Sequence, residues 1–262
     1  MWLALLVWFL TAGIVYLFAS KTWWFPAPIS QHAINFDSHF AILLLVSGAI
    51  FLCAQGALGY AAMRFKDDGG KAVYSTGNNM LELLWTAVTA IVFVGFAMIA
   101  NNIWVGVHLD KSGEADLHVE VLAKQFSWSF RYAGPDGKFG RTEPRFISDS
   151  SGNPFGIDEK DAAGKDDIIA GALRVPRGAL VELSLRSRDV IHNFFVRELR
   201  MKQDLVPGMT IPLRFRATKE GIYEVPCSEL CGLGHHQMRT TLIVMFPEDY
   251  KQWLADEERK PR

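Results

Sequence analysis

Three stretches of this 262-residue chain are too long and too apolar for an ordinary soluble fold. Met1–Ala19 (MWLALLVWFLTAGIVYLFA) carries no charged side chain. Phe40–Met63 is broken only by Gln55. Met80–Ala100 holds one acid, Glu82, near its start, and apolar character continues past Asn101-Asn102 to Val107. About 20 apolar residues cross a bilayer as a helix, the one open-ended element that satisfies its own backbone polar groups in hydrocarbon. The second and third stretches, about 40–63 and 80–105, predict a transmembrane hairpin within residues 38–109. The first, 1–19, reads as a retained span or a cleaved secretory signal. It has no basic leading region and no clear small-x-small cleavage site, which favours a retained span. The membrane part thus has two or three helices.

Loop charge orients them. The 64–79 connector carries Arg64, Lys66 and Lys71, whereas Lys21 is the lone basic residue of the 21–37 connector. Basic loops stay on the cytoplasmic side. Everything after the third span then lies outside, whether or not residues 1–19 are removed. The expectation is a multi-pass protein of the bacterial plasma membrane, held in the lipid bilayer, with its carboxy-terminal domain in the periplasm.

Beyond residue 116 the pattern changes to period two. Val181, Leu183 and Leu185 interleave with Glu182, Ser184 and Arg186; Ile211, Leu213, Phe215 and Ala217 interleave with Pro212, Arg214 and Arg216. Such alternation marks strands with one buried face. Leu117–Ala123, Gly221–Val225 and Thr240–Phe246 read likewise, and Pro212 argues that its strand lies at a sheet edge or starts there. Residues 134–170 are rich in Gly, Pro, Ser and Asp and read as a long loop. Pro247 opens a terminal helix, 247–258, with Tyr250, Trp253 and Leu254 on one face. The fold class is therefore a membrane-anchored chain, α then all-β, with a sandwich or barrel spanning 116–262. Lys+Arg 27 against Asp+Glu 28 argues against a nucleic-acid partner. Three cysteines make no disulfide framework, and Cys53, alone in the second span, packs as a small hydrophobe.

The chemistry concentrates in Cys227-Ser-Glu-Leu-Cys231-Gly-Leu-Gly-His235-His-Gln-Met238. A disulfide between Cys227 and Cys231, a satisfied His235 and a core Met238 would each explain one residue. Zinc prefers Cys and His and takes Met poorly. Four soft ligands together favour copper, and Gly232 and Gly234 free the backbone to turn them inward.

This run, C-S-E-x-C-G-x-x-H-x-x-M, resembles the dinuclear copper (CuA) loop of cytochrome c oxidase subunit II. Asp189-Val-Ile-His192 resembles the segment with that family's first histidine ligand. Lys202-Gln-Asp204-Leu-Val-Pro207-Gly208 resembles its K-x-D-x-x-P-G run, and Glu82-Leu-Leu-Trp85-Thr86 the E-x-x-W-T opening of its last membrane helix. The likeness spans about residues 38–257. It implies a cupredoxin-like domain holding two copper ions, bridged by Cys227 and Cys231. His192 and His235 would bind one copper each, with Met238 and the Glu229 carbonyl completing the two shells. His236 is the rival of His235 but breaks the spacing from Cys231.

The resemblance also implies a magnesium ion reached by the Glu229 carboxylate at the interface with subunit I, and a proton-channel mouth at Glu82. Gln125-Phe126-Ser127-Trp128-Ser129-Phe130 resembles the family's aromatic box, with Phe126 where a tryptophan usually receives electrons; Trp128 is then a substitute. Asp204 would be a docking residue for cytochrome c. Asp158, Glu159, Asp161, Asp166 and Asp167 form a second acidic cluster, diluted by Lys160 and Lys165. No C-x-x-C-H occurs, so covalent haem is not expected in this chain. The implied role is the electron-transfer subunit of an oxidase that reduces oxygen to water and translocates protons. Its partners would be subunit I, which holds haem and the remaining copper, further oxidase subunits and cytochrome c. The ligand set disfavours a quinol oxidase. A copper-containing nitric oxide reductase subunit and a membrane copper carrier are the alternatives.

Overall fold

The computed structural model describes residues 2–20, 25–66, 69–71, 74, 76–109 and 112–259. Met1, Lys21 and the last three residues of the 116–262 domain lie outside the described residues. The three apolar stretches are helices, α1 (Trp2–Ala19), α2 (Gln31–Arg64) and α3 (Asn79–His108), each long and apolar enough to cross a membrane. α2 begins several residues ahead of the apolar run because Ser30 caps it, its hydroxyl accepting from the Ala33 N–H at 3.0 Å. Asn78 does the same for α3: its side-chain oxygen accepts from Met80 and Leu81 N–H at 3.1 Å each.

The chain divides into two compact units, residues 1–25 with 36–103, and 26–35 with 104–262. In the first, the indole of Trp8 lies where a side chain on Gly59 would stand, so only glycine at 59 allows that approach. Ala4 and Thr11 are the buried residues of α1, and the most apolar windows of α2 and α3 bury nothing against protein. Side chains of that kind are left for lipid.

Among the described residues the second unit holds ten strands: β1 (Leu117–Lys124), β2 (Ser127–Tyr132), β3 (Ile168–Ala170), β4 (Leu173–Pro176), β5 (Leu180–Ser187), β6 (His192–Val196), β7 (Met201–Leu205), β8 (Ile211–Arg216), β9 (Gly221–Pro226) and β10 (Arg239–Met245). One sheet runs β3-β2-β1-β5-β8, a second β4-β10-β9, and β6-β7 form a ribbon. The β1–β5 and β4–β10 pairs are parallel, and the other ladders antiparallel. Pro212 sits on β8, the edge of the five-stranded sheet, where a missing N–H costs no ladder bond. Val119 and Val121 of β1, Leu183 and Leu185 of β5, Leu173 of β4 and Leu242 of β10 share one buried core, as the alternation requires of two packed sheets. Helix α4 (Pro247–Glu258) closes it: Tyr250 is buried and Trp253 stands edge-on to Tyr132, centroids 5.1 Å apart.

Residues 134–170 depart from a plain loop. Ile168–Ala170 is strand β3, and Phe155 and Ile157 pack with Leu122 in a second, smaller core on the outer face of β1. The same cover buries charge. Arg131 of β2, 1 % exposed, stands opposite Glu120 of β1 in the ladder and bonds it at 2.7 Å, while also bonding Asp167 and the Gly140 carbonyl. Asp158 is likewise buried and paired with Arg141. Two of the five loop acids are therefore ion-pair partners in the fold rather than a free surface cluster. At the loop's outer turn Asp149 bonds Lys124 at 2.7 Å and Arg188 at 2.8 and 3.0 Å.

The chain from Pro26 to Ser30 is fastened to this unit. The buried Ile29 accepts at its carbonyl from Thr218 N–H (2.7 Å) and hydroxyl (2.9 Å), and its N–H donates to Glu198 O at 3.1 Å.

Two outcomes follow for stability. Arg131→Met strands a buried carboxylate and is expected to cost about 3–5 kcal/mol; adding Asp167→Asn recovers most of it, read by denaturant unfolding of the full chain in detergent. The Asp149 carboxyl is held well below its ordinary 3.8 by hydrogen bonds from Arg188 and then Lys124. Its contribution is complete above 3.8 and lost as pH falls towards the depressed folded value. Parent and Asp149→Asn melting temperatures should differ at neutral pH and converge in acid.

Candidate metal centre

Two loops at one end of the sandwich, 187–192 and 226–239, carry the ligand set. β6 begins at His192 and β9 ends at Pro226, and the strands meet through a bridge between Phe194 and Cys227. Ser228 N–H donates to Asn193 O at 3.1 Å and Cys227 N–H to Met238 O at 2.9 Å, closing the loop on itself. Gly232, at φ +133°, lies in backbone space that other residues avoid. A side chain there or at Gly234 would strike Gln125 or Phe126, whose ring approaches a Cβ built on Gly234 to 2.5 Å. The Gln125 amide donates to Cys231 O at 2.5 Å, tying the β1–β2 turn to the ligand loop.

The donor atoms converge. The Cys227 and Cys231 sulfurs are 3.9 Å apart and both are free thiols. His192 Nδ1 is 3.8 Å from Cys227 Sγ, His235 Nδ1 3.6 Å from Cys231 Sγ, Met238 Sδ 3.8 Å from Cys231 Sγ, and the Glu229 carbonyl 3.2 Å from Cys227 Sγ. His192, Cys227 and Cys231 are the group of three metal-ligating side chains found among the described residues, and all three are buried. Two thiols each facing a different imidazole nitrogen, with a thioether and a carbonyl behind them, form a soft donor set that fits copper and has more sulfur than a hard cation accepts. His236 is exposed.

Asp189 is the residue that sequence reasoning quoted without giving it a role. Its carboxylate lies 2.8 Å from His192 Nε2 and accepts from Gln125 N–H at 2.7 Å and Val190 N–H at 2.7 Å. With the proton on Nε2, the Nδ1 lone pair is left free towards Cys227. An acid three residues before a ligand histidine was the available signal. Burial disfavours the charged form of each of these groups, but the contacts prevail in three. Backbone N–H donors and His192 hold Asp189 below the usual carboxylate range. Cys227 and Asp189 raise the His192 pKa. His192 and neighbouring backbone groups lower that of Cys227. Cys231 is pushed up by burial and then by the Cys227 charge, so the pair gives up its first proton from Cys227.

The remaining expected residues take distinct places. Trp128 is 5 % exposed and edge-on to His192 at 6.4 Å and to Phe194 at 6.1 Å; its indole N–H has no partner among the described residues. Phe126 is 40 % exposed over the loop glycines. Asp204 is exposed and accepts from Asn193 Nδ2 at 2.5 Å, next to His192 in the β6–β7 register. The Glu229 carboxylate belongs to an exposed residue. Glu82 lies in the first turn of α3, in the membrane unit.

Apolar helices long enough to span a membrane, followed by a β-sandwich with a group of side chains that could hold a metal, define a membrane-anchored chain with a cupredoxin-like domain. Residues 117–245 match the family model described as cytochrome c oxidase subunit II, periplasmic domain. The alternative cytochrome c oxidase subunit 2 of Bradyrhizobium diazoefficiens is 36 % identical over 97 % of this chain and 91 % of its own length. Cytochrome c oxidase subunit 2 of Thermostichus vulcanus is 31 % identical over 94 % of this chain and 84 % of its own. A solved periplasmic domain of subunit II from Bradyrhizobium japonicum is 24 % identical, covering 56 % of this chain and 96 % of that one, with a TM-score of 0.40. The chain belongs to the cytochrome c oxidase subunit II family.

Asp189→Ala is expected to lower copper affinity about 10–100-fold, with Asp189→Asn, which keeps an oxygen towards His192, falling less. Copper titration of the full chain in detergent checks it.

Proposed function

We propose that this chain receives electrons from cytochrome c at its outer domain and passes them to haem in subunit I of a haem–copper oxidase that reduces oxygen to water. The observation that carries the reading is the convergence of Cys227, Cys231, His192, His235, Met238 and the Glu229 carbonyl on one buried spot. When bound there, two coppers sharing one electron supply a redox centre whose bond lengths change little on reduction. Cys227, Cys231, His192, His235, Met238 and the Glu229 carbonyl are the groups that would hold them. The chain's contribution is rigidity: both ligand loops are fixed by backbone hydrogen bonds, so the donor atoms are held in place before and after transfer.

Phe126 is the aromatic a docked donor can touch, and Trp128 the one set against a ligand. Phenylalanine is harder to oxidise than the family's tryptophan, which would leave entry to Trp128, edge-on to His192, or to direct contact at the edge of the metal site. Asp204, exposed and fixed by Asn193, offers opposite charge to a basic donor. The Glu229 carboxylate would reach a magnesium ion shared with subunit I, since magnesium needs few carboxylates from any one chain. Glu82, at the cytoplasmic end of α3, stands at a proton channel of the partner, and coupled proton translocation belongs to the assembled oxidase.

Electron paramagnetic resonance and copper counting on the purified chain test the centre. Two coppers with a mixed-valence spectrum are expected. Cys227→Ser or His192→Ala should abolish that signal and cytochrome c oxidation while leaving membrane insertion intact; a single labile copper, or full activity in either variant, overturns the assignment.

A further inference from the structure

Within residues 26–35 and 104–262 a cavity of about 170 Å³ opens where the start of α2 and the end of α3 adjoin strands β5 and β8. Ser30, Gln31, Arg214 and Arg216 give it a polar side, Val107 and Phe215 an apolar one. Pockets for drug-sized ligands run about 300–1,000 Å³, so this one takes a compact group, not a whole metabolite.

The two arginines set its chemistry. Arg214 Nε donates to Glu182 at 2.5 Å and one terminal nitrogen to Gly113 O at 3.2 Å. Arg216 donates to Gly178 O and lies 3.6 Å from Asp116, with about half its side chain exposed. A guanidinium has five N–H donors. These contacts fix each planar fork in position and leave donors over, the arrangement that suits a phosphate oxygen pair.

The surroundings choose the phosphate's source. α2 runs from the cavity into the Phe40–Met63 apolar run, and the apolar run of α3 ends at Val107 in the cavity wall. Residues at the outer ends of membrane helices lie at headgroup level. A phosphate attached to an apolar body arrives there by residence, whereas a free one must be recruited from solution. We propose that this cavity holds the phosphate ester of one outer-leaflet phospholipid, gripped by Arg214 and Arg216.

The test uses the intact oxidase complex in mild detergent, with bound phospholipid counted by native mass spectrometry. Arg216→Gln removes a donor fork. Gly106→Leu fills the cavity from α3, where an added Cβ meets nothing within 4 Å. Each variant is expected to lose one retained phospholipid per complex, with copper content and oxygen uptake unchanged. Added dihexanoyl phosphatidylglycerol should restore the count in the parent after delipidation and not in the variants. Equal counts in all three proteins overturn the proposal. So does inorganic phosphate displacing the lipid at equal concentration, which would make this a free-phosphate site. A structure of the intact complex with a neighbouring subunit's carboxylate seated on Arg216 would overturn it as well.

Discussion

The hydrogen bond from Cys227 N–H to Met238 O, 2.9 Å long, spans the ligand loop, and its companion from Ser228 N–H to Asn193 O ties that loop to the strand bearing His192. Four soft side chains cannot be brought together cheaply by a metal alone, because ordering a dozen residues costs roughly 1–2 kcal/mol each in backbone entropy. Here much of that ordering is done by β9, β10 and β6, whose ladders continue into the loop ends. The sandwich thus holds these side chains in one arrangement from the backbone outward, as supporting contacts do for metal-ligating groups.

A further layer supports the ligands. Gln125 reaches both sides of the site, its backbone N–H to Asp189 and its side-chain amide to the Cys231 carbonyl, so the β1–β2 turn braces the histidine loop and the cysteine loop together. Behind Asp189 stands Arg188, held by Asp149 of the long loop, which also takes Lys124. The 134–170 segment therefore has mechanical standing: its own small core, its Arg131–Asp167 pair and its Asp149 contacts fasten it to the strands that end at the metal loops.

What could be read from the sequence was local. Helices announced themselves through uninterrupted apolar length, and strands such as β5 and β8 through alternation, because burial acts on each of those residues by itself. Most of the ligand set fell within twelve residues, and soft ligands at that density have few other uses. What escaped was non-local. Nothing in Glu120, Arg131 or Asp167 singly indicates a buried ion pair, since charged residues are usually solvated until a covering segment removes the water. The parallel pairing of β1 with β5 depends on the chain between them crossing over, which no residue pattern records. Asp189 was visible but mute, as its function is a contact with an imidazole three residues on and a peptide N–H 64 residues away.

Phe126 marks where this chain departs from the pattern its family suggests, and the structure makes the departure consequential. The ring covers Gly232 and Gly234, so it shapes the outer surface of the ligand loop whatever its redox chemistry. Leu230 and Leu233 are also exposed on that loop, 78 % and 98 %, among the polar Glu229, His236 and Gln237, so part of the surface there is apolar. Apolar contact sets how long an encounter lasts, while charge governs how often one begins. Asp204 lies beside this surface rather than within it, so the apolar ring and the exposed carboxylate stand on different elements. Neither Phe126 nor Asp204 contributes an atom to the His192, Cys227 and Cys231 group that could hold a metal, so either can be substituted without removing one of its donor atoms.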